Sequence, residues 1–273
     1  MILPFNPVLV SFGPLAVRWF GVLALVGLGL AVWLSLGDLE RAHFSRRAAL
    51  AGLAWALPAG LVAGRVVHVL GWWDYYLMHA AEVWQFNVAG ISVWGGLLAG
   101  AAVFAARLKR DPLRRRRIFD VAAANAALGI AVGRLGAFVE GAGQGLQSDL
   151  PWATYYANPL AAAPDFGVAR HPAQVYDAVV ALALFFVLRV LPGRLPAGAR
   201  ASAFLVVYGL ARVALGPLRL DPAFLFGLQI EQLLAIGGVA CGAVYGLLPL
   251  LNTRSADIRP GRASPAAEDS MAA

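Results

Sequence analysis

Apolar residues run through this chain in blocks close to the roughly 20 residues that cross a bilayer, with short polar connections between them. The blocks predict helices over residues 15–35, 49–70, 88–106, 118–139, 172–190, 201–215 and 228–251. The fourth and sixth are the least uniform, because Asp120, Arg134 and Arg212 interrupt them. The pattern therefore predicts an all-α polytopic membrane protein with seven transmembrane helices in one membrane domain, residues 1–252. A polar, Pro-containing tail over residues 253–273 reads as disordered.

Charges in the connections set the expected orientation, since cytoplasmic loops are enriched in Lys and Arg. The first, third and fifth connections carry Arg41, Arg46 and Arg47, the run RLKRDPLRRRR, and Arg189, Arg194 and Arg200, while the tail has Arg254, Arg259 and Arg262. The second connection has Asp74 and Glu82 with no basic residue, the fourth only Arg170, and the sixth only Arg219. This alternation places the N-terminus outside and the C-terminus in the cytoplasm. The N-terminal stretch lacks a charged leader and a small-residue cleavage site, so the first apolar block is expected to remain as a span. Dense Trp and Tyr in GWWDYYLMHAAEVWQF suit a membrane interface. The long fourth connection, residues 140–171, faces outside and is the first place to look for function.

Composition narrows the class further. Hydrophobic residues make up 60% of the chain and charged ones 14%, far from the roughly 25% charged share of an average soluble domain. The formal net charge of +7 sits in short runs rather than on an amphipathic face, which argues against nucleic acid as a partner. A single cysteine, Cys241, lies inside an apolar block and reads as a small buried side chain; the sequence offers neither a disulfide framework nor a metal cluster.

Chemistry is expected where permanent cations enter the spans. An arginine at the centre of a spanning helix costs about 2.5–3.5 kcal/mol on insertion scales, so it faces a partner, a cavity or an anionic ligand. Arg65, Arg134, Arg212 and Arg219 all fall toward the predicted outer side, and guanidinium suits bidentate contact with phosphate. The pattern points to a phospholipid head-group pocket; the plain alternative is internal pairing with Asp120, Asp177 or Glu231. Glycines at 133, 136, 141, 143 and 145 match no nucleotide fingerprint and read as close packing and a turn at a helix end. His171 is either a general base or a hydrogen-bonding anchor beside a helix start.

The stretch GRLGAFVEGAGQGLQSDLPW, followed by RHPAQVYD, resembles the signature region of the prolipoprotein diacylglyceryl transferases. FGPLAVRWFG, GRVVHVLGWWDYY, GISVWGGLLAG and YGLARVALGPLRLDPAF extend the resemblance over residues 12–251. It implies a bacterial cytoplasmic-membrane enzyme with its active site toward the outer leaflet. The implied reaction moves the diacylglyceryl group of phosphatidylglycerol to the lipobox cysteine of a prolipoprotein signal peptide, with no cofactor and no metal. By the same resemblance, Arg134 and Arg212 fall on arginines that bind the head group or act in catalysis. Arg65, Arg170 and Arg219, with His171, Gln174, Tyr176, Gly95 and Gly96, fall on substrate-binding motifs. Several polar positions of the family differ: Trp94 replaces a histidine, Ala137 and Glu140 replace asparagines, Ala142 and Gly216 replace glutamates, and Phe20 replaces a tyrosine. Glu140 is a candidate substitute base or a partner for Arg134; its plain alternative is an exposed loop carboxylate. The losses leave open a non-catalytic or altered-specificity member that binds anionic phospholipid or lipoprotein precursor. A transporter is a further alternative, which lacks paired broken helices in repeated halves.

Overall fold

The computed structural model describes residues 1–12, 15–84, 90–108, 112–165, 167–191 and 195–257. Its helices are α1 (Trp19–Arg41), α2 (Arg46–Gly71), α3 (Trp73–Met78), α4 (Val93–Arg107), α5 (Pro112–Glu140), α6 (Ala173–Val190), α7 (Ala199–Leu215) and α8 (Ile230–Asp257). Three small sheets join them. In parallel, β1 (Ile2–Leu3) pairs with β4 (Tyr155–Tyr156); the hairpins are β2 (Val8–Phe12) with β3 (Leu15–Arg18), and β5 (Ala223–Leu225) with β6 (Leu228–Gln229).

Among the described residues six helices are long and apolar enough to cross a membrane. The seventh expected span is α4, a shorter apolar helix of 15 residues. Two expected starts move. Residues 15–18 form β3, pairing antiparallel with β2 with Val10 opposite Val17 and Phe12 opposite Leu15, so an extended hairpin takes the place of the helix start. The third block starts as helix only at Val93, because Ser92 is extended and its hydroxyl accepts a hydrogen bond from Gly95 N at 3.0 Å, an N-cap. The basic run Arg114–Arg117 is the first part of α5 rather than a loop. At the other end α8 continues past Asn252 to Asp257, and residues 258–273 of the expected tail lie outside the described residues.

The α1–α5 and α2–α4 pairs run antiparallel. Gly27 of α1 meets Gly129 of α5 while Phe20 meets Gly136, and Gly52 of α2 meets Phe104 of α4 while Gly64 meets Ser92. A Cβ on Gly27 would lie 2.6 Å from the Gly129 carbonyl oxygen, so the α1–α5 approach requires glycine there. Asn125 of α5 pairs with Arg189 at the end of α6, and Ser202 of α7 bonds Gly242 of α8.

The alternation gathers the starts of α1, α4, α6 and α8 with the ends of α2, α5 and α7 at one end of the bundle. The opposite end carries a separate polar network. There Asp38 accepts from Arg41, Arg189 and Asn125, and Asp120 accepts from Gly198 N and Ala201 N to cap α7. Between the ends, Ala124, Ala127, Ala131, Ala181, Leu184, Leu188 and Phe204 form the apolar core, which Trp94 and Tyr208 join.

Candidate active site

At the first end, three arginines from different segments converge on one carboxylate. Asp177, in the second turn of α6, is 1% exposed. Its Oδ2 lies 3.3 Å from Arg134 Nε of α5, 3.3 Å from Arg219 Nη1 and 3.6 Å from Arg212 Nη1 of α7. Asp221 adds a second carboxylate, 2.7 Å from Arg219 Nε and 3.7 Å from Arg212 Nη2. Glu231, at the start of α8, lies within electrostatic reach of Arg134 and Arg212, so three guanidinium groups face three carboxylates. Burial alone would raise the pKa of Asp221, but Arg219 and Arg212 outweigh it and hold the carboxyl below its usual range. Asp221 therefore stays ionised.

The arginines differ in how far these carboxylates satisfy them. Arg219 hydrogen-bonds both aspartates. Arg212 is 2% exposed, yet its Nε and Nη1 make no hydrogen bond, and Arg134 Nε is within ion-pair distance of Asp177 without hydrogen-bond alignment. Their 3.3–3.7 Å separations exceed the roughly 2.7–2.9 Å of a well-formed charge-assisted bond. Tyr208, one turn before Arg212, lies within electrostatic reach of Arg134, Asp177 and Arg212, and its hydroxyl also has no partner of normal geometry. The cluster thus holds buried guanidinium donors without well-formed hydrogen bonds, which suit an anion with several acceptor oxygens.

The long connection after α5 braces the cluster. Gly143 adopts φ +73°, and a Cβ there would stand 3.2 Å from Arg219 Nη2. Leu146 N donates to Leu218 O at 2.8 Å, and the Gly145 and His171 backbones join in the same ladder. Gln174, fully buried, donates from Nε2 to Ala142 O at 2.8 Å. Trp152 Nε1 donates to the Tyr176 hydroxyl at 2.8 Å, which also meets His171 Nδ1 at 3.2 Å. Arg170 pairs with Asp165. His171, Gln174 and Tyr176 thus anchor the loop to the start of α6, and the anchoring alternative for His171 is the one its contacts support.

The family model for prolipoprotein diacylglyceryl transferase matches residues 7–248. The chain belongs to this family. Relatives named phosphatidylglycerol–prolipoprotein diacylglyceryl transferase include one from Nostoc sp., 31% identical over 87% of this chain and 87% of its own length. Another, from Finegoldia magna, is 28% identical over 84% of this chain and 89% of its own, and one from Streptococcus sanguinis is 29% identical over 85% and 90%.

Other expected site residues of this diacylglyceryl transferase family member lie outside the arginine cluster. Arg65 of α2 gives its donors to backbone carbonyls, Gly90 O at 2.9 Å, Glu82 O at 2.6 Å and Val83 O at 3.1 Å, with its guanidinium over the Tyr76 ring. It clamps the connection before α4. Gly95 and Gly96 face Val67 and Gly60 of α2, so they serve close helix packing. Glu140 is buried and paired with Arg18 at 2.5 Å, neither an exposed carboxylate nor a partner of Arg134. The reason is helical geometry: six residues beyond Arg134 it stands about 9 Å further along α5 and meets the start of antiparallel α1.

The structure also brings in residues the sequence pattern did not single out. Asp221 follows Arg219 by two positions at the exit of an arginine-bearing helix, a signal present in RLD. Arg18 and Gln232 gave none. A Cβ at Gly216 would lie 2.1 Å from Gln232 Nε2, so the glutamine of α8 occupies the space a side chain at 216 would need.

Proposed function

We propose that this chain transfers the diacylglyceryl group of phosphatidylglycerol to the lipobox cysteine of prolipoprotein signal peptides. Family membership supports the reaction, and the observation that carries it is the buried Arg134–Arg212–Arg219 cluster with guanidinium donors left unpaired by Asp177 and Asp221. In the transfer a C–S thioether bond forms at the glyceryl carbon and the C–O bond to phosphate breaks. Glycerol 1-phosphate leaves with the electron pair, and the thiol proton is released. Negative charge grows on the departing phosphate, so fixed guanidinium groups bind it more tightly in the transition state than in the substrate. The same positive field favours the thiolate. Asp177 and Asp221 hold the arginines in place while leaving several guanidinium donors without a hydrogen bond.

Purified protein given phosphatidylglycerol micelles and a lipobox peptide should release glycerol 1-phosphate and add the diacylglyceryl mass to the peptide. Binding without release would instead support the non-catalytic reading, which draws on the apolar, buried Trp94 and Ala137 at polar family positions.

The basic end of the bundle supports a cytoplasmic assignment, with α4 as a seventh crossing, the N-terminus outside and the arginine cluster toward the outer leaflet of the bacterial cytoplasmic membrane. In a Cys241→Ser background, Asp74→Cys should react with an impermeant thiol reagent on intact cells and Arg46→Cys should not. The reverse pattern would invert the topology and remove the site from the outer leaflet.

A further inference from the structure

Trp94, in the first turn of α4, is completely enclosed, and its Nε1–H has no acceptor among the described residues. Buried polar groups in folded proteins are nearly always paired, so an unpaired indole N–H calls for a cause. Packing alone does not supply one, because a phenylalanine would fill an apolar stack without an orphan donor.

The ring's setting fixes where that donor points. One face stacks on Tyr208, with centroids 5.6 Å apart and planes at 22°, and Tyr208 stacks in turn on Phe204. The benzo edge lies against α8 at Gly238, where a Cβ would stand 2.4 Å from Trp94 Cζ3 and 2.9 Å from Cη2. Glycine at 238 is what admits the indole. Nε1 sits on the edge opposite Cε3 and Cζ3, so the N–H is directed away from α8. In the same region the Tyr208 hydroxyl, Arg134 Nε, and Arg212 Nε and Nη1 are buried without a well-formed hydrogen bond, with Asp177 Oδ2 standing 3.3 Å from Arg134 Nε and 3.6 Å from Arg212 Nη1. Four residues, joined by the Trp94–Tyr208 stack and the shared surroundings of Arg134 and Arg212, therefore hold donors without a well-formed hydrogen bond in one region.

We propose that the Trp94 indole N–H donates a hydrogen bond to an oxygen of the glycerol phosphate portion of the bound lipid, making Trp94 a specificity-determining residue of the site. The inference rests on the transferase reading for its ligand. Trp94 also fixes the Tyr208 ring, and Gly238 makes both contacts possible by leaving room for the benzo edge.

The test uses the full-length protein in detergent with three variants, Trp94→Phe, Gly238→Ala and the pair together, and two probes, phosphatidylglycerol in micelles and free glycerol 1-phosphate. A hydrogen bond to a charged group corresponds to a change on the order of tenfold to a hundredfold in affinity. Trp94→Phe should raise the KM for phosphatidylglycerol and the Kd for glycerol 1-phosphate by that factor, with kcat altered less. Gly238→Ala should weaken binding in the same direction by displacing the indole. The double variant should match Trp94→Phe, because the shorter phenyl ring does not reach position 238. Wild-type KM and Kd in a folded Trp94→Phe protein, even with a lower melting temperature, would overturn the proposal. So would a double variant in which the two losses simply multiply. If the wild-type protein releases no glycerol 1-phosphate, the transferase reading fails by itself. The Kd comparison for that probe still decides the role of Trp94.

Discussion

Arg212→Ala should lower diacylglyceryl transfer by about 10²–10³-fold in kcat, the scale on which loss of one preorganised charge-stabilising donor is felt, while the protein remains folded. Arg212 is enclosed, stands 3.6 and 3.7 Å from its two carboxylates, and keeps Nε and Nη1 without acceptors. Of the three clustered guanidinium groups it has the most buried nitrogens without a hydrogen bond, which leaves them for a departing phosphate. Arg212→Lys should restore little, because an ammonium offers a point charge without the planar fork that engages two oxygens at once. Peptide-lipidation kinetics on detergent-purified variants, with thermal melting as the control for folding, provides the measurement. Near wild-type kcat in folded Arg212→Ala would remove Arg212 from the chemistry.

Asp177→Asn should be the most destabilising conservative change at this end of the bundle. One carboxylate, 1% exposed, is approached by Arg134, Arg212 and Arg219. Removing its charge leaves three buried cations with only Asp221 and Glu231 as counter-charges, and loss of one partner from a buried pair costs about 3–5 kcal/mol. Thermal unfolding of the purified variant should reveal a large drop. Adding Arg219→Gln to Asp177→Asn should recover part of it, since the second change removes a cation that the first left uncompensated. Such recovery is a coupling between neighbouring sites, which independent positions do not give. A melting temperature equal to wild type in the single variant would mean that Asp177 is not the counter-charge of the cluster.

The helical blocks were legible in the sequence because lipid leaves a backbone few options: a spanning segment must satisfy its own N–H and C=O groups, and a long apolar run does so as a helix. Boundaries were less legible where local pairing competes with apolar composition. Leu15–Arg18 reads as part of an apolar run yet pairs with β2, and only the partner strand decides this. Arginine within apolar helices marked one end of the molecule for chemistry, and Arg134, Arg212 and Arg219 do meet there. Arg65 carries the same signal in the same half of its helix but points at the carbonyls of Glu82, Val83 and Gly90. Sequence records that a buried cation needs acceptors; it does not record which ones the chain brings within reach.

By itself, then, the sequence determined the helical membrane class, the family through its signature runs, and the side of the bundle that carries fixed positive charge, because these follow from composition and local order. Tertiary structure alone decided that Asp177 and Asp221 share three arginines, that Glu140 turns to Arg18, and that Gln232 and Trp94 fill the spaces left by Gly216 and Gly238. Those contacts join residues far apart in the chain, and their distances depend on how antiparallel helices are set against one another, which no single segment encodes.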